Sequence, residues 1–168
     1  MLSKKIEAAL NEQVALEHES SQYYLAMASW AEVKGYKGVS MFLFRQSEEE
    51  RMHMLKLFHF INDRGGHALV PSPPAPPSSF TNVNGIFEHV LKHEQKVTSE
   101  INKLVDACLK EKDYTTHNFM QWYVTEQIEE ENMARHLLDK LNLIGNDKGG
   151  IYLFDRDLAM MPSLSDKK

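Results

Sequence analysis

Apolar residues recur every three or four positions along most of the chain, which is the spacing of one face of an α-helix. The first such stretch has an inward stripe of Ile6, Leu10, Val14, Tyr24, Ala28 and Ala31. The pattern predicts four long helices and a short fifth one, after Ser3 to about residue 34, then about 39–63, 81–112 and 114–143, and finally 151–161. Glycine-containing turns at 35–38, 64–66 and 145–150 end three of the long helices.

A proline-rich segment at 71–79 separates the two predicted helical hairpins and contains every proline except Pro162. Such a segment is extended and cannot be helical. It could link two domains, but one hairpin is too thin to bury its own core. At about 3.1 Å per residue it can instead run the length of a helix. We therefore predict an all-α fold for residues 1–168 as a single domain: a four-helix bundle with one long crossover and a short fifth C-terminal helix.

The first chemical signal is the pair Glu50 and His53, three residues apart in the second predicted helix. That spacing places a carboxylate and an imidazole on the same helix face. Such a donor pair suits iron, manganese or zinc. Alone the signal is weak, because this spacing also occurs by chance on solvated helix faces.

The two predicted hairpins repeat the same spacing of polar residues, which strengthens that signal. Glu17 and Glu50 lie 33 residues apart, as do Glu94 and Gln127, and 77 residues separate the two pairs. The same offset places His53 on Glu130. One acid on each first helix and a polar i, i+3 pair on each second helix is the pattern of a di-metal site in a bundle core. The second pair, Gln127 and Glu130, makes the repeat imperfect.

If the helices close as predicted, the candidate ligands converge: Glu17, Glu50, His53, Glu94 and Glu130. Four carboxylates balance the charge of about two divalent ions. Because Gln127 is a neutral amide, the second ion should be held less tightly. Tyr24, two turns after Glu17, could hydrogen-bond a site carboxylate, donate an electron, or be an ordinary core tyrosine.

A further set of acids lies beside these ligands: Glu49, Glu126 and Glu129. They could hold a third ion that shares Glu130, or they could form a solvated acidic face. Both interpretations are open from the spacing alone.

Composition narrows the class of protein. The net charge of −5 over 168 residues disfavours sequence-independent nucleic-acid binding, which needs a basic surface. Cys108 is the only cysteine, so no disulfide forms within the chain. The N-terminal residues do not resemble a signal peptide, and no apolar run approaches membrane-spanning length. The sequence predicts a soluble cytoplasmic protein with no nucleic-acid or membrane partner.

Several ordered motifs resemble the bacterial non-haem ferritins over nearly the whole chain. They are Asn11-Glu12-Gln13, Glu17, Tyr23-Tyr24-Leu25, Glu48-Glu49-Glu50-Arg51-Met52-His53, Asn118-Phe119-Met120-Gln121-Trp122-Tyr123 and Glu126-Gln127-Ile128-Glu129-Glu130. The resemblance implies a ferritin-like bundle whose copies form a hollow cage of twenty-four subunits. It also implies a ferroxidase that oxidises Fe(II) with dioxygen or peroxide and stores the Fe(III) mineral inside.

The resemblance also assigns ligands. It implies Glu17, Glu50 and His53 for one iron, and Glu50, Glu94 and Glu130 for the other, with Gln127 beside the site. The third iron position of the family corresponds to Glu49, Glu126, Glu129 and Glu130.

Related families fit less well. Bacterioferritins carry a second Glu-x-x-His pair where this chain has Gln127 and Glu130, and their haem-ligating methionine corresponds to Arg51, so we predict no haem. Two alternatives to storage are open. One is a di-iron oxidase or peroxidase of the rubrerythrin type that stores nothing. Chains of that type carry additional cysteine-based iron sites, whereas this chain has a single cysteine. The other is a non-catalytic helical scaffold.

Overall fold

The computed structural model describes residues 2–161 and confirms the predicted all-α architecture. The helices are α1 (Lys4–Val33), α2 (Lys37–Asp63), α3 (Val83–Lys110), α4 (Tyr114–Ile144) and α5 (Lys148–Ala159). Among these described residues, no helix has the length and apolar character needed to cross a membrane. The predicted end of the last helix at Pro162 and the polar tail after it lie outside the described residues.

The long segment between α2 and α3 returns the chain along the bundle, as the sequence predicts. The rings of Phe42 and Phe87, near the starts of α2 and α3, lie 5.9 Å apart. At the opposite end, Lys5 of α1 pairs with Glu111 at the end of α3, with 2.9 Å between Nζ and Oε1. Helices α2 and α3 are therefore parallel, and each hairpin, α1 with α2 and α3 with α4, is antiparallel.

Short polar side chains begin most of the helices. Ser3 accepts a hydrogen bond from the backbone N–H of Ile6 at 3.3 Å, and Asn82 caps α3 in the same way. The start of α5 differs from the prediction. Asp147 caps it by accepting from Gly150 N–H at 2.7 Å, so the glycines at 149 and 150 lie inside α5 rather than in the loop. The prediction of a loop through 150 was wrong because the Asp147 cap outweighs the low helix propensity of glycine.

Within residues 2–161 the core consists of two apolar clusters, one toward each end of the bundle. Leu43 and Phe87 belong to the first cluster, and Leu10 and Ile101 to the second. Between them, at the middle of all four long helices, lies a layer of buried polar residues. The two clusters fix the helices on both sides of this layer, so its side chains are positioned by rigid elements.

Helix α5 packs across the start of α2. It buries Phe154 and Leu158 against the first cluster. Asp155 Oδ1 accepts a hydrogen bond from the backbone N–H of Val39 at 2.9 Å, and Arg45 donates to the carbonyl of Leu158 at 3.0 Å. Asp155 thereby satisfies an N–H in the first turn of α2, which has no side-chain cap of its own.

Candidate metal centre

The polar layer contains the main ligands predicted from the sequence, one group from each long helix. All are buried, with exposed fractions between 0 and 5 %: Glu17 on α1, Glu50 and His53 on α2, Glu94 on α3, and Gln127 and Glu130 on α4. The inward stripe of each helix explains this placement, because these residues continue the helical spacing of the apolar positions.

One triad is close enough to share a single ion. Glu17, Glu50 and His53 each offer a ligand atom, and these atoms lie within 4.8 Å of one another. His53 Nδ1 lies 3.5 Å from Glu50 Oε2. The His53 ring contacts Trp122 edge-on with 5.2 Å between centroids, and the Tyr123 hydroxyl donates to the His53 carbonyl at 2.8 Å. These contacts hold the imidazole against the carboxylates.

Glu94 accepts hydrogen bonds on both of its oxygens. The Tyr24 hydroxyl donates to Oε1 at 2.6 Å, and the Gln127 amide donates to Oε2 at 3.1 Å. Gln127 also donates to the Glu94 carbonyl and to Thr98. The Tyr24 hydroxyl therefore makes the expected hydrogen bond to a carboxylate of the layer, a contact that a core tyrosine with a satisfied hydroxyl also makes, and electron donation by Tyr24 stays a prediction.

Two glutamines that the sequence analysis did not assign to the site contact the other carboxylates. Gln13 donates to Glu17 Oε1 at 2.7 Å, and Gln46 donates to Glu130 Oε2 at 3.1 Å. Gln46 stands in the inward stripe of α2, one turn before Glu50. That position was a usable signal, but an amide in a stripe does not reveal its partner on another helix.

Two carboxylate oxygens in the layer have no such partner. Oε1 of Glu50 and Oε1 of Glu130 are buried and accept no hydrogen bond from any residue between 2 and 161. Buried oxygens of this kind are costly unless a cation or a proton compensates them. The donor set, with carboxylates and one imidazole, fits divalent iron or a similar ion.

The acids of the layer shift one another's protonation. Burial raises the pKa of Glu17 well above its ordinary value, and the charge of Glu50 raises it further. Burial and the charge of Glu94 do the same to the pKa of Glu50 and of Glu130. Burial also raises the pKa of Glu94, against the hydrogen bonds from Tyr24 and Gln127. Without metal, the layer therefore retains protons that an incoming cation would displace.

A second group of potential ligands adjoins the first and shares its histidine. Glu49, His53 and Glu126 are all buried and offer atoms within 4.8 Å of one another. They line an open pocket of about 720 Å³ between α2 and α4. Of the acids expected to form the third position, Glu129 is exposed and Glu130 faces the main layer. The position of His53 beside Glu49 and Glu126 could not be seen from the spacing of the acids along the sequence.

Sequence and structure comparisons show that the chain is similar to one family of known proteins over most of its length. The family model described as a ferritin-like domain matches residues 7–144. A probable bacterial non-heme ferritin-like protein of Haemophilus influenzae is 42 % identical over 95 % of this chain and 96 % of its own length. A bacterial non-heme ferritin of Campylobacter jejuni is 40 % identical over the full length of both chains. The open pore ferritin of Archaeoglobus fulgidus superposes with a TM-score of 0.94, at 41 % identity over 96 % of this chain and 100 % of its own.

Proposed function

Because the chain belongs to the ferritin family of iron-storage proteins, we propose that it is a ferroxidase that oxidises Fe(II) at the buried polar layer. In this proposal the Fe(III) product passes into the hollow interior of a cage of twenty-four copies and is stored there as a mineral. The chain acts as one domain, residues 1–168, in the cytoplasm. The observation that carries the proposal is the convergence of four buried carboxylates and one histidine, in which Oε1 of Glu50 and Oε1 of Glu130 accept no hydrogen bond from residues 2–161.

The residues of the layer bind the two iron ions and keep them adjacent. We assign Glu17, Glu50 and His53 to the first ion and Glu50, Glu94 and Glu130 to the second, so that Glu50 contacts both. Four ionised carboxylates balance two divalent charges. Each Fe(II) gives up one electron, and dioxygen takes two electrons and two protons to become hydrogen peroxide; peroxide can serve as the oxidant in its place.

The second group of potential ligands provides a position to which iron can move when it leaves the layer. Glu49, His53 and Glu126 lie beside the first triad and line a pocket open to the surface. We assign a third iron position to this region, with Glu129 at its exposed side. Sharing His53 between two groups suits a site that passes its product on.

The assembly and the reaction can be tested together. Metal-free protein is loaded anaerobically with Fe(II), run on a sizing column, and then exposed to air while ultraviolet absorbance follows oxidation. A very large particle that oxidises and retains many irons per subunit would support the proposal. A small oligomer that oxidises about two irons per subunit and then stops would favour a non-storing oxidase instead. A particle that binds no iron would favour the scaffold.

Substitutions at the layer test the ligand assignment. Glu50→Ala or His53→Ala should slow rapid Fe(II) oxidation severely and leave the particle size unchanged, because each removes a proposed ligand while the two apolar clusters on either side of the layer stay intact. Glu32→Ala, which removes an exposed acid on α1, is the matched control. Initial rates equal to those of the control would contradict the assignment.

A further inference from the structure

The carboxylates at the two edges of the polar layer are each held by one glutamine amide. Gln13 lies one turn before Glu17 on α1 and donates to its Oε1 at 2.7 Å. Gln46 lies on α2 and reaches across the bundle to Oε2 of Glu130 on α4, at 3.1 Å. Both glutamines are nearly inaccessible, with exposed fractions of 3 % and 2 %. They therefore cannot be accounted for as solvated surface residues.

Each amide donates a hydrogen bond to one carboxylate oxygen, so the second oxygen is available to a cation. The remaining oxygen of Glu130, Oε1, accepts no hydrogen bond from the described residues. On the other side, Glu17 belongs to the triad with Glu50 and His53. The two amides thus act on different metal positions. Gln13 orients a ligand of the first, and Gln46 orients a ligand of the second.

The neutrality of the amide matters for a site that must accept two cations. A lysine or arginine at the same place would also hold the carboxylate, but its charge would cancel one of the four negative charges and repel the incoming ion. A glutamine orients the oxygen and leaves the negative charge of the layer intact. Partners of this kind commonly set the affinity of a metal site without touching the metal.

We propose that Gln46 and Gln13 are positioning residues, each fixing a carboxylate for one of the two iron positions. The inference rests on the proposed function, since it assumes that the layer binds two ions. It adds two residues to the site and assigns each of them to one metal position. The loss of one amide should therefore weaken metal binding at one position and leave binding at the other unchanged.

The test uses cobalt(II), which binds such sites without being oxidised by air under mild conditions and reports its ligands by visible absorbance. Metal-free protein is titrated as wild type, Gln46→Met and Gln13→Met. Methionine keeps the length of the side chain and removes the donor. Gln95→Met, at an exposed position of α3, is the matched control. Circular dichroism and particle size establish that each variant folds and assembles.

We expect two cobalt-binding steps in the wild type and the control. Gln46→Met should weaken one step by about 10- to 100-fold and leave the other unchanged, and Gln13→Met should weaken the other step. If Gln46→Met does not fold, Gln46→Asn replaces it, because its shortened amide no longer reaches Glu130 and should weaken the same step.

Two results would overturn the inference: unchanged steps in both glutamine variants, or equal weakening of both steps in each variant, which a general loosening of the core would produce. A wild type that binds no cobalt would instead count against the proposed function itself. The two failures are therefore distinguishable.

Discussion

Replacing Tyr24 with Phe tests whether Glu94 is a metal ligand. The Tyr24 hydroxyl donates to Glu94 Oε1 at 2.6 Å, and both side chains are 1 % exposed. Removing the hydroxyl leaves a buried carboxylate oxygen without its donor, which costs about 1–3 kcal/mol. In a chain of this size each kcal/mol changes the melting temperature by about 2–4 °C. The metal-free variant should therefore melt roughly 2–12 °C below the wild type.

The same substitution should cost less in the metal-bound protein, because an ion held by Glu94 compensates the oxygen that Tyr24 no longer contacts. Differential scanning calorimetry of metal-free and cobalt-saturated protein measures both losses. Thr116→Val is the matched control, since its buried hydroxyl donates to the carboxylate of Asp113 at 2.7 Å, at the start of α4 and outside the polar layer. The control should lose equal stability in both states. An equal loss for Tyr24→Phe as well would refute the role of Glu94 as a ligand.

Three further outcomes follow from the structure. Gly38→Ala should displace α5, because its new Cβ would meet the backbone carbonyl of Asp155. Exposing the two apolar side chains that α5 buries should lower the stability measured by thermal unfolding by about 3–6 kcal/mol. Gly149→Ala is the control, because its Cβ would make only ordinary contacts and should not lower the stability. Glu126→Ala should change the number of irons oxidised after the first two, measured by stoichiometric Fe(II) additions, and Glu129→Ala should change it less. The folded-state pKa values of the layer carboxylates are raised above 4.5, so the stability they contribute is complete below that pH and falls as the pH rises through the raised values. Metal-free protein should therefore melt lower at neutral than at mildly acidic pH, a difference that saturating cobalt should reduce.

The sequence predicts the helices because each long helix has a continuous inward stripe. The predicted ends agree with the structure within a few residues, and the crossover follows from the prolines at 71–79. The largest difference is at α5, where two glycines read as a loop are helical. A glycine-rich segment predicts a turn only when no cap competes, and the Asp147 side chain supplies that cap.

The candidate ligands were also predictable, since an acid in an apolar stripe is costly unless it is paired or bound to a cation. Glu17 and Glu94 stand out for this reason. The contacts between helices were not predictable in the same way. Gln46 meets Glu130 across 84 positions of sequence, and no periodicity within one helix records that distance. The proximity of His53 to Glu49 and Glu126 was not predicted, because it depends on the relative rotation of α2 and α4.

The difference between the two hairpins gives the polar layer its asymmetry. Where the first hairpin has Glu50 and His53, the second has Gln127 and Glu130, and the Gln127 amide is committed to Glu94 and Thr98. An amide nitrogen that donates hydrogen bonds cannot also bind a metal ion. In the ligand assignment that we propose, the first position has a nitrogen ligand and the second has only carboxylates. We expect the second ion to be held less tightly, which suits a protein that must release each oxidised ion to make room for the next.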